Sequence, residues 1–157
     1  MPRITPNLWF DTQALEAAEF YCSVFPNSKV TFVSHYTEAG PRPAGTVMTV
    51  SFLLDGQEFT GINGGPEFTF SEAISFLINC SDQAEVDYYW EKLTDGGQEG
   101  PCGWLKDRYG VSWQVIPPGF EEFMSGDPDR AARAMKAMFG MKKIDLAAMQ
   151  AAADGSS

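Results

Sequence analysis

The sequence predicts an α+β fold of two βαβββ modules followed by a C-terminal helical extension. Three observations predict it. Residues 10–25, FDTQALEAAEFYCSVF, align without a gap with residues 78–93, INCSDQAEVDYYWEKL, at an offset of 68. Each stretch reads as a strand end, a polar turn and a helix, and so long a repeat marks duplicated supersecondary units, with any functional site between them. The copies also close alike, Asp55-Gly56 leading into Gln57–Ile62 and Tyr109-Gly110 into Val111–Ile116. Past Pro117-Pro118-Gly119 the repeat ends and the pattern turns helical. The expected organisation is one domain over 1–119, with modules of about 1–65 and 66–119, and an extension over 120–157 packed on that domain or on a dimer partner.

In chain order, Ile4–Phe10 reads as the first strand, with Leu8 and Phe10 on one face and Asn7 and Trp9 on the other. Ala14–Phe25 reads as a helix: Leu15, Ala18 and Tyr21-Cys22 recur at helical spacing, and Pro26-Asn27 stops it. Lys29–Tyr36 alternates as a strand, and a Gly/Pro-rich loop follows. Thr46–Leu54 is the next strand, Asp55-Gly56 a hairpin turn, Glu58–Ile62 the closing strand, and Asn63-Gly64-Gly65-Pro66 a linker. Module two gives a strand at Ile74–Asn79, a helix at Gln83–Leu93 ended by Asp95-Gly96-Gly97, a poorly defined strand at Glu99–Leu105 and another at Val111–Ile116. In the extension, Asp127-Pro128-Asp129 reads as a capped helix start. Met135, Met138 and Phe139 form one apolar stripe, and Ile144, Ala147, Ala148 and Met149 another. Asp154–Ser157 is expected to fray.

Composition narrows the function. With 157 residues and 44% apolar content, the chain can bury a core. A net charge of −10 without a basic stripe argues against nucleic acid and anionic membrane as partners. No apolar run approaches the ~20 residues that span a bilayer, and the first residues lack a signal-peptide apolar core. Cys22, Cys80 and Cys102 are widely spaced and odd in number. That pattern argues against a disulfide framework and for a reducing, cytoplasmic setting.

Several motifs resemble the PhnB-like branch of the glyoxalase/bleomycin-resistance/extradiol-dioxygenase (vicinal oxygen chelate) superfamily. They are Ile4-Thr5-Pro6-Asn7-Leu8-Trp9-Phe10, Ala17-Ala18-Glu19-Phe20-Tyr21, Asn63-Gly64-Gly65-Pro66 and, most specific, Cys102-Gly103-Trp104-Leu105-Lys106-Asp107-Arg108-Tyr109-Gly110-Val111-Ser112-Trp113-Gln114. The resemblance covers about residues 3–118. It implies that each module curls its sheet into half a barrel, that helices cover the outside, and that the halves enclose a cavity. Many members of this branch are labelled 3-demethylubiquinone-9 3-methyltransferase, but no glycine-rich strand-to-helix loop is present here to hold the cofactor such chemistry needs.

Metal-dependent members of the superfamily place one ligand near the first and last strand of each module. Counting from Gly56 and Gly110 gives Thr60 and Gln114, and the first strands give Thr5–Asn7 and Ala73–Ser75. None of these is His, Asp or Glu, the ligands divalent metals want there, so no metal and no cofactor is expected. Glu58 and Glu72 offer only a displaced alternative, and His35 reads as a strand-end histidine. Cys102 reads as an inert core thiol, and catalytic residues remain unknown.

The resemblance and strand parity together give Asn7, Trp9, Thr60, Ser75, Trp104 and Gln114 as ligand-binding candidates. Trp113 then belongs to the core. An aromatic wall with a few amides and hydroxyls suits a planar or apolar small organic molecule. The expected function is metal-independent binding of such a molecule by a homodimer. The alternatives are an enzyme with a displaced metal or none, and a structural or regulatory module with a vestigial cavity.

Overall fold

The computed structural model describes residues 3–155 and resolves them into two compact units, Met1–Phe70 and Ser71–Ser157. Each unit carries one four-stranded mixed sheet with a helix packed on one face.

In the first unit the elements are β1 (Asn7–Phe10), α1 (Ala14–Val24), β2 (Lys29–His35), β3 (Val47–Leu54) and β4 (Gln57–Asn63), in sheet order β1-β4-β3-β2. β1 runs parallel to β4: α1 carries the chain from β1 to β2 at the opposite edge, and the antiparallel β2, β3 and β4 bring it back beside β1. The β3–β4 hairpin turns on Asp55 at φ 49° and Gly56 at φ 79°, the paired left-handed conformation of a two-residue hairpin loop. Alternation then sorts the side chains. Leu8, Phe10, Phe52 and Phe59 are buried toward α1, whose own buried face is Ala14, Ala17, Ala18, Tyr21 and Val24. Leu15, expected in that stripe, is only half-buried.

In the second unit the order is β5 (Phe76–Asn79), α2 (Gln83–Thr94), β6 (Gln98–Glu99), β7 (Trp104–Lys106) and β8 (Ser112–Ile116), in sheet order β5-β8-β7-β6. The topology repeats that of the first unit. The single strand expected over Glu99–Leu105 is two short strands, which supply the third β of the module. They are separated by a turn through Cys102 at φ 57° and Gly103 at φ 84°. A Cβ on Gly103 would sit 2.8 Å from the Val115 carbonyl oxygen, so close approach of the turn to β8 also demands glycine there.

The gapless repeat needs two corrections. Matching faces puts the strands at an offset of 68: Leu8 and Phe10 answer to Phe76 and Ile78, all on the helix side. The helices match at 69, where buried Ala17, Tyr21 and Val24 answer to buried Val86, Trp90 and Leu93. One extra residue between β5 and α2 accounts for this. The second correction concerns the closing strands. Asn7 pairs with Thr60, and Phe76 with Trp113. The counterpart of Asn7 is Ser75, so the counterpart of Thr60 is Ser112, one residue before Trp113. Counting from the turn glycines names Gln114 instead, because the loop from Asp107 to Val111 is longer than Asp55-Gly56.

The extension folds as three helices, α3 (Phe120–Ser125), α4 (Pro128–Phe139) and α5 (Leu146–Ala153). Asp127 and Asp145 cap α4 and α5 by accepting from Asp129 N and Ala148 N. Their core joins Phe123, Ala134, Met138, Ile144, Met149 and Ala153 to Ile116 at the end of β8, so the extension belongs to the second unit. Phe139 (61% exposed), Ala147 and Ala148 lie outside the apolar stripes expected of them. Leu146 and Ala153 take over that packing because α5 starts at Leu146. The end expected to fray is tied down as far as Asp154, which pairs with Arg130, while Arg133 donates to Ala153 O at 2.6 Å. Ser156 and Ser157 lie outside the described residues.

Candidate functional site

Each sheet has an open face opposite its helix. On the first unit, Asn7, Thr60 and Ser51 form one row across β1, β4 and β3, and Trp9, Ile62 and Thr49 form the next. Ser34 and Thr49 extend this polar surface with a 2.5 Å hydroxyl–hydroxyl hydrogen bond. Trp9 is held by the chain itself. Its indole lies against Gly64, where a Cβ would come within 2.3 Å of the ring. Its Nε1 donates to Gly65 O at 2.9 Å, and its edge meets Phe68 with ring centres 5.0 Å apart. The indole therefore anchors the glycine-rich linker as well as facing outward.

Asn63, read from the sequence only as linker, is 5% exposed and does structural work. Its Oδ1 accepts from Ala14 N at 2.8 Å, satisfying an orphan donor at the start of α1 that Gln13 leaves uncapped. Its Nδ2 donates to Val47 O, and its carbonyl accepts from the Tyr36 hydroxyl.

On the second unit, Trp104 and Lys106 of β7 stand directly across from Gln114 and Ser112 of β8. Directly paired residues share a face, so the four side chains make one tile. Gln114 is half-buried, and its Nε2 donates to Ser75 Oγ at 2.9 Å. Trp113, on the reverse face, is 3% exposed and donates from Nε1 to Asp107 Oδ2 at 2.8 Å. The other Asp107 oxygen accepts from Tyr109 N and Val111 N, which closes the loop before β8.

Two hollows lie beside this tile. A cleft of about 440 Å³ is lined by Trp104, Lys106, Ser112, Glu72, Glu99 and Pro101 among others. A second, of about 650 Å³, includes Leu77, Asn79, Cys80, Gln114 and Ile116. The structure thus gathers Ser75, Trp104 and Gln114 on one unit and Asn7, Trp9 and Thr60 on the other.

The electrostatics are local. Glu72 forms an ion pair with Lys106, and the hydrogen bond from that ammonium holds the Glu72 carboxyl below its ordinary range. Burial, reinforced by Glu85 and Asp82, pushes the Cys80 thiol up to about 12. Burial, with Glu19 adding to it, also raises Cys22. Cys102 is half-buried against the extension, with its N–H donating to Met141 O at 2.9 Å.

The donor set does not fit a metal. Asn7, Thr60, Ser75 and Gln114 are neutral amides and hydroxyls with no imidazole or carboxylate among them, and Glu72 is ion-paired with Lys106. Among the described residues no group of three or more His, Cys, Asp or Glu side chains is placed to hold an ion. His35 is exposed at the end of β2, and Glu58 is exposed at the start of β4.

The sequence model of the 3-demethylubiquinone-9 3-methyltransferase family matches residues 2–116. The chain belongs to that family. It is a PhnB-like member of the glyoxalase/bleomycin-resistance superfamily. Among solved structures it is similar to a Bacillus cereus protein with the provisional name 3-demethylubiquinone-9 3-methyltransferase, PhnB protein. That likeness has 38% identity and a TM-score of 0.66, covering 74% of this chain and 99% of the other. Protein PA1353 from Pseudomonas aeruginosa shares the fold at 20% identity and TM-score 0.62, covering 74% and 98% of the two chains. So does the fosfomycin resistance protein FosX from Listeria monocytogenes, complexed with Mn(II) and sulfate, at 17% and 0.57, covering 79% and 98%. No curated protein matches the chain. Among the described residues no helix is long and apolar enough to cross a membrane.

Proposed function

We propose that this family member binds a small organic molecule without a metal, using the open face of the second unit, where Ser75, Trp104 and Gln114 lie together. Asn7, Trp9 and Thr60 occupy the corresponding face of the first unit. The observation that carries the reading is the Gln114–Ser75 hydrogen bond. A position that the superfamily resemblance assigns to a metal ligand here holds a neutral amide already oriented by a hydroxyl, on a half-buried face beside an indole. Such a surface recognises a ligand by stacking and by a few directed hydrogen bonds.

The activity in the family's name draws little support from the local structure. The strand-to-helix connections are Asp11-Thr12-Gln13, Cys80-Ser81-Asp82 and Pro117-Pro118-Gly119, and none is glycine-rich. A nucleotide-like methyl donor held in the dinucleotide manner needs such glycines for close backbone approach.

We also propose a homodimer in a reducing, cytoplasmic setting. Phe32 (61% exposed) and Ile74 (73%) leave apolar area that a second copy would cover, and all three cysteines are free. Light scattering during gel filtration tests the dimer. Titration of small aromatic compounds against the wild type and Gln114→Ala tests the binding. Weakening of about tenfold with little change in melting point is expected, whereas equal affinities would remove Gln114 from the site.

A further inference from the structure

Among the described residues, Ser112 Oγ is the buried side-chain polar atom that finds no hydrogen-bond partner. Its residue is 1% exposed. Buried hydroxyls are nearly always bonded, so an orphan calls for a physical reason. Ser112 also stands at the position corresponding to Thr60 of the first unit, on the open face. Directly across from it is Lys106, and Trp104 flanks Lys106 on the same face. All three line the 440 Å³ cleft.

Lys106 already holds a carboxylate in this structure, that of Glu72. Both side chains are substantially exposed, 39% and 59%, and an exposed ion pair of this kind is weak and readily exchanged. The chain's own Glu72 therefore shows what Lys106 can take, while the hydroxyl beside it has nothing to donate to.

We propose that this cleft is a subsite for the carboxylate of a small aromatic acid. Lys106 Nζ and Ser112 Oγ are the two donors, and the Trp104 indole is the platform for the ring. The ligand displaces Glu72 from Lys106, which opens access to Ser112. One carboxylate oxygen then pairs with the ammonium, and the other accepts from the hydroxyl. A monoanion fits better than a dianion, because Lys106 is the one cation among the residues lining the cleft. A ring fits because the half-buried indole and Pro101 supply the apolar wall.

This inference rests on the small-molecule reading above, and the test separates the two. Benzoate and its uncharged counterpart benzamide are titrated, by ligand-observed NMR, against the full-length wild type and three variants. Benzoate is expected to saturate the wild type and to bind at least about tenfold tighter than benzamide, the scale of one charge-assisted hydrogen bond. Ser112→Ala and Lys106→Met should each weaken benzoate by about tenfold or more, and Glu72→Gln should tighten it by removing the internal competitor. The gain in Glu72→Gln cannot come from a folding defect. Benzamide binding as well as benzoate, with no response to Ser112→Ala or Glu72→Gln, would overturn the carboxylate subsite and leave small-molecule binding standing. Failure of benzoate to saturate even Glu72→Gln would also overturn the subsite.

Discussion

Trp113 and Gln114 are neighbours on β8 that face opposite sides of its sheet. Trp113 is buried, with its indole nitrogen bonded to Asp107, whereas Gln114 is half-buried, with its amide bonded to Ser75. One is core and the other is surface chemistry. Trp113→Ala is expected to cost about 3–5 kcal/mol through lost packing against Phe76 and Leu105. Gln114→Ala is expected to cost under about 1 kcal/mol, the scale of one partly exposed hydrogen bond. Urea denaturation of the two variants checks the contrast, and similar losses would place both residues in the core.

The Asp107 carboxylate gives a finer test of the same strand. It is 3% exposed and bonded to two backbone N–H groups and the Trp113 indole. Trp113→Phe removes the indole N–H donated to Asp107 together with one ring of packing volume, so a loss of about 1–3 kcal/mol is expected. A melting point equal to wild type would mean that the indole bond is replaced at no cost.

The path of β8 shows how much was legible in the sequence. Alternation alone separates Trp113 from Gln114, and likewise Leu8 and Phe10 from Asn7 and Trp9, because one face of each sheet is covered by a helix. Turn chemistry marks Asp55-Gly56. Parity puts Ser112 on the face of Gln114, but counting from the turn glycine does not name it as the counterpart of Thr60, for a physical reason. Counting from a turn glycine assumes equal loops, and the Asp107-centred loop is longer, so the register came from strand pairing rather than from spacing. The split of Glu99–Leu105 into β6 and β7 was hidden because two- and three-residue strands show no period. Asn63 was hidden because a side chain capping a distant helix leaves no local pattern.

The extension should be needed for stability. Gln83 on α2 reaches it twice, donating to Ile144 O at 3.0 Å and accepting from Leu146 N at 2.8 Å. Gln83→Ala should lower stability by about 1–2 kcal/mol. Truncation after Pro118 should uncover Ile116 and Cys102, giving a lower melting point or aggregation. An unchanged melting curve after truncation would contradict the packing role.

Asp87, beside Gln83, carries a pH signature. Hydrogen bonds from Lys143 and from Gln83 hold its carboxyl below the ordinary range. Since the folded value lies below the unfolded one, the contribution is present above the unfolded carboxylate pKa. It is lost as pH falls through the lower folded value. Carbon-13 NMR titration should give Asp87 a depressed midpoint that rises in Lys143→Ala. The same midpoint in both proteins would remove the ion pair from solution.

Cys80 should be slow to react. Burial, with Glu85 and Asp82 nearby, pushes its thiol up to about 12, so almost no thiolate exists at pH 8. Iodoacetamide labelling followed by peptide mass spectrometry should find Cys80 unmodified in the folded protein and modified in urea. Rapid native-state labelling would show that the end of β5 opens.

The central claim is small-molecule binding on the open face without a metal. The most direct measurement is a saturation-transfer NMR screen of small aromatic compounds on protein kept in excess EDTA. The predicted result is at least one saturable ligand whose signal survives the chelator and weakens in Gln114→Ala. Binding that appears only after a divalent metal is added back, or no saturable ligand at all, would contradict the account.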